Sequence, residues 1–256
     1  MSRNSLSRLK SSAGLTMDNW RRFSCHAIPV TQTEFEHFLG FYDALWFDER
    51  VPREGETIAE PHALLTSGLH SNGFINLGRV LKDHDPFCWL MAQDLANLYT
   101  NGGYSAPDCI VGADTSSTKL AGYAATLMGA RHLVMIKQPD KSQLWMPGQR
   151  PLGVTEVVAG FEELMTSGGS TEEVCAGVQA GNPEIDVVFS DRRVTIVVRS
   201  DPDGPSILIY GSPPASIYRY PIHNWEPDKC PWCKYGGSEA IPPKAEGNWA
   251  RLIGKA

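Results

Sequence analysis

A strand that runs through a turn of glycines and hydroxyl side chains into a helix is the feature that most constrains this chain. Residues 157–161 are apolar, as expected of a short buried strand, and residues 171–178 have a helical pattern. Two adjacent carboxylates, Glu162 and Glu163, follow the strand. The turn contains Thr166, Ser167, Gly168, Gly169 and Ser170. In an open α/β sheet, a turn at the carboxyl end of a strand is where the ligand binds.

The residue types of this turn suit a sugar phosphate. The first N–H groups of a helix have no partner within the helix, and the helix dipole favours an anion there. Glycine lets the backbone approach a ligand closely, and the hydroxyl groups add donors. Carboxylates suit sugar hydroxyls or magnesium instead of phosphate. The sequence therefore predicts a clamp for ribose 5-phosphate, and the alternative is a serine- and glycine-rich loop that caps an ordinary helix.

Composition narrows the class of protein. The 256 residues fit one α/β domain with additions, and the net charge of -6 argues against binding of nucleic acid. No apolar run approaches the length that crosses a bilayer, so we expect no membrane partner. Six cysteines in a chain of this length do not form a disulfide scaffold, which favours a reducing cytoplasm.

Apolar periodicity predicts the remaining elements. Residues 31–47 are expected to form a helix with a capping box of Thr33 and Glu36, and its aromatic stripe faces the core or a dimer interface. Asp85 is expected to cap the next helix, which ends before Gly102. A further helix is predicted at 117–128, and strands at 109–112, 132–137, 185–189, 194–198 and 206–210. This alternation implies a mostly parallel, twisted sheet with helices on both faces.

The central turn resembles the signature of type I phosphoribosyltransferases. In that family a hydrophobic strand is followed by two acidic residues, two apolar residues and a Thr-x-Gly-x-Ser-like turn. Residues 162–170 read Glu-Glu-Leu-Met-Thr-Ser-Gly-Gly-Ser, with Glu163 where the family usually has Asp. Residues 62–77 are similar to the N-terminal segment of orotate phosphoribosyltransferases, which helps to cover the base. The matching residues are Ser67, Gly68, Ser71 and Phe74, and the alternative for this segment is a plain β-hairpin.

The resemblance implies a type I phosphoribosyltransferase-like fold with a small N-terminal hood and a C-terminal tail. On that basis we divide the chain into a disordered leader 1–30, a helix and hood segment 31–80, a core 81–215 and a tail 216–256. It implies a glycosyltransferase that uses phosphoribosyl pyrophosphate, a nitrogenous base and Mg²⁺, with orotate or a related pyrimidine favoured. It also implies a homodimer.

The resemblance assigns the predicted site residues. The 5-phosphate is expected at Thr166 to Ser170 and the ribose hydroxyls at Glu162 and Glu163. The base is expected near Ser67, Ser71, Phe74 and Arg199. The pyrophosphate loop of the family corresponds to residues 113–118, with contacts at Asp114, Thr115 and Ser116, and its usual Gly-Gly pair is Ser116-Ser117 here. The irregular segment 138–153 corresponds to the mobile lid of the family, and a solvated surface loop is the alternative. Lys137, just before this segment, and Lys141, within it, are expected to approach the pyrophosphate.

Two readings of other classes stay open. The serine pair and Glu163 favour a degenerate member that binds phosphoribosyl compounds or nucleotides and regulates without catalysis. In the tail, Cys230 and Cys233 form a Cys-Pro-Trp-Cys motif, which is either a pair of unligated thiols or half of a zinc site. In the second case the tail would be a zinc-stabilised interaction module.

Overall fold

The computed structural model describes residues 29–255, apart from the side chains of Asp114 and Thr115. Almost all of the predicted leader therefore lies outside the described residues. The described helices are α1 (Gln32–Phe41), α2 (Gly78–Leu81), α3 (Asp85–Asn101), α4 (Asp114–Met128), α5 (Gly169–Ala180) and α6 (Asn248–Leu252). The described strands are β1 (Leu45–Phe47), β2 (His62–Leu64), β3 (His70–Ser71), β4 (Gly73–Ile75), β5 (Cys109–Val111), β6 (Arg131–Leu133), β7 (Met135–Lys137), β8 (Gln143–Trp145), β9 (Val157–Met165), β10 (Val188–Phe189), β11 (Val194–Ser200), β12 (Ala215–Pro221), β13 (Asn224–Trp225) and β14 (Ala240–Ile241).

Six strands form the central sheet, and every neighbouring pair in it is parallel. The order is β12-β11-β9-β5-β6, and β10 pairs with the first two residues of β9. The strand β5 is buried throughout and β11 is buried over its first five residues, as expected for parallel strands that are covered on both faces. The predicted α/β fold with a mostly parallel sheet is confirmed.

Helices cover both faces of this sheet. Alternate residues of β9 belong to different cores, because successive side chains of a strand point to opposite faces. Ala159 and Phe161 join the core that is formed with α1, α3 and α4. Val158 joins the core on the other face, where α5 contributes Val174 and Val178. None of the described helices is both long enough and apolar enough to cross a membrane.

The first helix is shorter than the predicted range 31–47. It ends at Phe41, and Asp43 then turns the chain with a left-handed φ of 51°. Residues 45–47 form β1, which pairs with β4 in the antiparallel direction. Most of the aromatic stripe does face the core, with Phe35 buried and stacked on a tyrosine of β12 at 4.1 Å. The periodic apolar residues of this segment thus belong to two elements, α1 and β1, which bury side chains in the same core.

The capping box of α1 lies two residues before the predicted one. Thr31 caps the helix and exchanges hydrogen bonds with Glu34, whereas the sequence indicated Thr33 and Glu36. Both pairs have the same spacing, so the pattern alone does not distinguish them. Val30 decides the outcome, because its carbonyl accepts a hydrogen bond of 2.7 Å from a tyrosine of β12 and fixes the entry of the chain.

Two helix starts also differ from the expectation. The ring of His84 caps α3, not Asp85, because its Nδ1 accepts the N–H of Phe87 at 3.1 Å. Helix α4 starts at Asp114, so most of the predicted loop 113–118 is its first turn. A helix start is set by where the chain leaves the preceding strand, which a propensity pattern does not record.

Two strand predictions are wrong. Residues 132–137 form two strands, and the break is at Val134, whose N–H donates to the Gln149 side chain at 2.8 Å. Residues 206–210 form no strand, because Ile209 packs with Met165 and Val198 instead. The edge of the central sheet is supplied by β12, which the sequence did not predict.

The predicted irregular segment 138–153 contains a strand. Here β8 pairs with β7 as an antiparallel hairpin, and Lys141 closes the turn with a left-handed φ of 75°. The hairpin packs along α5: a Cβ at Gly177 would meet the Gln143 carbonyl, and one at Gly181 would meet the Trp145 ring. Much of the predicted lid is therefore seated on the protein.

A second, smaller sheet joins the two ends of the chain. Its order is β13-β3-β2-β14, and we call it the hood sheet. The hairpin β2–β3 was predicted, and Gly68 provides the left-handed turn residue with φ 88°. The strands β13 and β14 come from the tail, while β12, which begins at Ala215, belongs to the central sheet. The division of the chain into hood, core and tail stays a prediction, and strands of the tail complete the hood sheet.

The contact between α5 and the hairpin gives a test of the fold. We expect Gly177→Ala to lower the free energy of unfolding by about 1–3 kcal/mol, because the new methyl group overlaps backbone of β8 that cannot rotate away. Chemical denaturation measures the change. The matched control is Gly40→Ala on α1, where a Cβ meets nothing within 4 Å and stability is expected to be unchanged or slightly higher. Equal stability of Gly177→Ala and wild type would contradict this seating of the hairpin.

Candidate active site

The turn between β9 and α5 lies at the carboxyl edge of the central sheet. Gly168 is the N-cap of α5, with a left-handed φ of 88° and no side-chain hydrogen bond at the cap. The N–H groups of Thr171 and Glu172 donate to the Gly168 carbonyl at 2.9 and 3.1 Å. Because no described side chain caps the helix, the N–H groups that precede these two, those of Gly169 and Ser170, are available to an anion.

The two glycines of the turn have different surroundings. A Cβ at Gly168 would lie 2.9 Å from Ile209, which belongs to a small apolar cluster with Met165 and Val198. A Cβ at Gly169 would have only the Ser167 hydroxyl, at 3.8 Å, within contact distance. Gly168 is therefore needed for the shape of the turn, whereas the space in front of Gly169 is open.

The hydroxyl groups of the turn are accessible. The side chains of Thr166, Ser167 and Ser170 are all exposed. Together with Gly168 and Gly169 they lie within one five-residue stretch at the helix start, as the sequence predicted. The arrangement can bind a tetrahedral anion through backbone N–H and side-chain O–H donors.

The two carboxylates lie in different environments. Glu162 is only 4% exposed, and its Oε1 accepts the N–H of Ala113 at 2.7 Å. Glu163 is half-buried, and its backbone N–H donates to the Ser117 hydroxyl at 3.2 Å. Glu162, which was expected to bind a ribose hydroxyl, lies inside β9 and not after the strand as predicted, and it ties β9 to the start of α4. Glu163 is the more accessible of the two.

The start of α4 is tightly packed. A Cβ at Gly112 would lie 2.5 Å from the Ser117 carbonyl and 2.8 Å from the Phe161 carbonyl, so only glycine fits there. The predicted contact Ser116 is 4% exposed, and its hydroxyl lies 3.0 Å from the position of a Cβ at Gly78. The side chains of Asp114 and Thr115 lie outside the described residues. The serines that replace the glycine pair of the family are therefore buried in the protein.

The predicted lid lysines are exposed, at the end and the turn of the β7–β8 hairpin. Lys137 ends β7, and Lys141 is in the turn. The strand β8 runs in the same direction as α5, since Gln143 lies against Gly177 and Trp145 against Gly181. Two residues of a strand and four residues of a helix both advance about 6 Å. The turn of the β7–β8 hairpin therefore points along α5 towards the N-terminal end of the helix, where residues 166–170 lie.

Arg199 is a half-buried cation near this edge of the sheet. It follows Val198, which pairs with Met165, the last residue of β9 before the turn. Its Nε has no hydrogen-bond acceptor among the described residues. Burial lowers the pKa of its guanidinium to about 10, so the side chain is still charged at neutral pH. A partly buried charge of this kind is costly unless it meets an anion.

Comparisons with known proteins agree with this geometry. No family model matches the chain. The orotate phosphoribosyltransferase of Heliobacterium modesticaldum is 27% identical over 191 residues, which is 75% of this chain and 93% of that protein. The orotate phosphoribosyltransferase of Caldanaerobacter subterraneus is 29% identical over 181 residues, or 71% of this chain and 87% of that protein. The UMP synthase of Leishmania donovani shares the fold, with a TM-score of 0.51 and 15% identity over 91% of this chain and 44% of that one.

The chain is similar to orotate phosphoribosyltransferases over most of its length. Within this phosphoribosyltransferase fold, the hood residues that the sequence singled out have structural contacts. Ser71 is fully buried and donates to the His223 carbonyl at 3.0 Å. Phe74 packs edge-on against Trp249 of α6 at 5.8 Å. Of the predicted base contacts in the hood, only Ser67 is exposed, at the tip of the β2–β3 hairpin.

The structure also contains a separate cleft. It measures about 580 Å³ and is bordered by α1, β1 and the end of β12. Glu36 and Glu49 are among the residues that line the cleft, and none of residues 166–170 lines it. The two carboxylates repel anions, so the cleft does not suit a phosphate group.

Proposed function

We propose that this chain is a pentosyltransferase that moves ribose 5-phosphate from phosphoribosyl pyrophosphate to orotate or a closely related anionic pyrimidine, releasing pyrophosphate. The uncapped and accessible turn between β9 and α5 is the observation that carries the proposal. The relatives named orotate phosphoribosyltransferase support it, since each is covered over most of its length. We place this activity in the cytoplasm, and the five described cysteines, which are all free thiols, suit that compartment.

The turn of residues 166–170, which we call the phosphate turn, would hold the unreactive end of the substrate. The 5-phosphate binds the N–H groups at the start of α5 and the hydroxyls of Thr166, Ser167 and Ser170. Glu163 then accepts a ribose hydroxyl, while Glu162 holds Ala113 in place. Fixing the sugar in this way leaves C1 at the carboxyl edge of the sheet, where leaving group and base meet.

The pyrophosphate end needs positive charge. As the bond from C1 to the pyrophosphate oxygen breaks, negative charge grows on the leaving group and the ribose becomes oxocarbenium-like. Lys137 and Lys141 supply cations from the hairpin that points towards this end of α5. Mg²⁺ prefers carboxylate and phosphate oxygens, so Glu163 and the substrate itself fit it as ligands. Bound there, the ion would neutralise charge on the pyrophosphate.

Arg199 would bind the base. Orotate carries a carboxylate, and the lysine that often precedes the Ser-Gly motif in orotate enzymes is Thr66 here. The charged and underpartnered Arg199 at the end of β11 replaces that cation. A planar guanidinium binds a planar carboxylate through two parallel hydrogen bonds.

The second candidate is a regulatory protein that binds phosphoribosyl compounds without catalysis. The buried Ser116 and Ser117 favour it, because a serine pair cannot approach pyrophosphate as closely as a glycine pair can. Both candidates predict ligand binding at the turn. Turnover of phosphoribosyl pyrophosphate with orotate distinguishes them.

The chain also has a surface that suits a homodimer. On the β7–β8 hairpin, Ile136 and Leu144 pair opposite each other and are 40% and 51% exposed. Met146, next to the hairpin, is 43% exposed. We propose that a second copy of this chain covers this apolar patch, which adjoins the strand that carries Lys137.

The phosphate turn is tested by Gly169→Val. A valine side chain fits at position 169 without a clash, so the variant is expected to fold, but the side chain occupies the space assigned to the anion. We expect phosphoribosyl pyrophosphate with Mg²⁺ to bind about 100-fold more weakly, corresponding to roughly 2.7 kcal/mol. Calorimetric titration of the two folded proteins measures the change.

Two controls accompany this titration. Gly169→Ala adds a single methyl group and is expected to weaken binding less than valine does. Gly40→Val, on α1, is expected to leave the affinity unchanged. If wild type binds and Gly169→Val binds equally well, the turn only caps the helix and the proposed site is wrong.

The base assignment is tested by Arg199→Ala in an assay of pyrophosphate release with orotate and uracil. Loss of a hydrogen-bonded charge pair is expected to lower kcat/KM for orotate about 10- to 100-fold, from the ~1.5–3 kcal/mol of such a bond. Affinity for phosphoribosyl pyrophosphate is expected to stay unchanged. The control is Arg219→Ala, an exposed arginine of the neighbouring strand. Wild type that binds phosphoribosyl pyrophosphate but releases no pyrophosphate with any pyrimidine would favour the regulatory candidate.

The dimer is tested by light scattering at micromolar concentration. Wild type is expected to have twice the mass of one chain, and Leu144→Glu is expected to be monomeric because a charge replaces an apolar contact. Val154→Glu is the control, since Val154 is 69% exposed but lies outside the hairpin. A monomeric wild type would remove the dimer from the proposal and leave the site intact.

A further inference from the structure

Four potential metal ligands meet in the hood sheet, away from the phosphate turn. Their ligating atoms all lie within 4.8 Å of one another, and we call them the Cys₂His₂ cluster: His62, His70, Cys230 and Cys233. The histidines come from β2 and β3, and the cysteines come from the tail. Three of the four side chains are buried and Cys233 is half-buried.

The spacing of these atoms fits one tetrahedral ion. The Nε2 of His62 lies 3.0 Å from the Nδ1 of His70 and 3.4 Å from the sulfur of Cys230. The sulfur of Cys233 lies 3.5 Å from the first nitrogen and 3.3 Å from the second. Around tetrahedral zinc, bond lengths of about 2.0–2.1 Å to nitrogen and about 2.3 Å to sulfur give edges of roughly 3.3–3.6 Å for these pairs. These four distances therefore need to change by only a few tenths of an ångström, and the remaining pairs of ligating atoms lie within 4.8 Å.

A hydrogen bond outside the cluster orients one of its nitrogens. The hydroxyl of Ser238 donates to the Glu60 carbonyl at 2.6 Å, so its proton is already used. The Nδ1 of His62 lies 2.9 Å from the hydroxyl oxygen of Ser238, so this nitrogen must be the donor in their hydrogen bond. The neutral ring consequently carries its lone pair on Nε2, which faces the other three ligands. Metal-binding histidines characteristically donate their second ring N–H to such a partner.

We propose that the Cys₂His₂ cluster binds one structural Zn²⁺ ion. Two thiolates and two imidazoles are a ligand set that zinc prefers, and the pair Cys230 and Cys233 has the Cys-x-x-Cys spacing of such sites. Four protein ligands complete a tetrahedral shell, so no position is open for water or substrate. The ion therefore stabilises the hood and takes no part in the transfer reaction.

The hood sheet has few other means of stability. Its strands are only two or three residues long. Among the residues that the structure describes, the buried apolar cluster around the cysteines consists of Ile58, Cys230 and Trp232. Small units of this kind usually need a metal or a disulfide. A metal at the Cys₂His₂ cluster joins His62 to Cys230, which are 168 positions apart, and so fixes the tail to the hairpin.

The ion would also fix the position of the hood relative to the core. The strand β13 pairs with β3 beside His70, and the N–H of Asn224 in β13 donates to the Asp201 carboxylate at 3.0 Å. Asp201 directly follows β11, the strand that carries Arg199. Loss of the metal is therefore expected to loosen the hood first, before the central sheet unfolds.

Metal analysis of the purified full chain tests the proposal without any assay of activity. We expect one zinc per chain in wild type, retained through dialysis and released when a mercurial reagent blocks the thiols. Replacement by Co²⁺ alone is expected to give the intense visible bands of tetrahedral cobalt and a thiolate-to-cobalt band in the near ultraviolet. These measurements use wild type, so they decide the question even if a variant fails to fold.

Variants then assign the ligands. Cys230→Ser and His70→Ala are expected to lose the stoichiometric metal and the thermal stability that it provides. The matched controls are Cys175→Ala in α5 and His37→Ala on the exposed face of α1, which are expected to keep one metal per chain. Wild type without stoichiometric zinc and without a tetrahedral cobalt spectrum would overturn the proposal. So would a metal content that survives both ligand substitutions, or an oxidised Cys230–Cys233 pair in the protein as purified.

Discussion

A buried hydrogen bond between a side chain of β9 and the backbone just beyond β5 organises the carboxyl edge of this protein. The carboxylate of Glu162, on β9, accepts the N–H of Ala113, just beyond β5. A buried carboxylate must find such a donor, because leaving it unpaired costs several kcal/mol. The bond fixes the start of α4 beside the turn that starts α5, and the close approach at Gly112 permits no side chain between them. The proposed phosphate, ribose and pyrophosphate positions all depend on this junction.

The hood is stabilised in a different way from the core. The central sheet is covered on both faces by helices and buries two apolar cores, so burial of apolar surface stabilises it. The hood sheet has strands of only two or three residues, and we propose that its stability depends on pairing with the tail and on the zinc ion. This separation lets the hood differ in rigidity from the central sheet, which carries the turn between β9 and α5.

The sequence predicted the elements better than their ends. Strong apolar periods located α3 and α4 and the strands β5, β9 and β11, because burial on a parallel sheet produces continuous apolar runs. It placed the capping box at Thr33 instead of Thr31, since both positions match and only a contact of Val30 with β12 separates them. It missed β12 and read Ile209 as part of a strand, because an apolar run that packs beneath a turn has the same composition as a strand.

For the candidate site, the sequence by itself determined the composition of the turn at residues 166–170, since strand, acidic pair, hydroxyls and glycines are local and consecutive. Only the tertiary structure decided which side chains are available at it. Glu162, Ser71 and Phe74 match the expected pattern, yet each is held by a partner from another part of the chain. The Cys₂His₂ cluster shows the same limit, because the local sequence indicates only two of its four ligands, Cys230 and Cys233. The other half comes from the register of the β2–β3 hairpin, which places His62 and His70 diagonally on one face. Such pairings depend on residues far apart in the chain, and no local pattern encodes them.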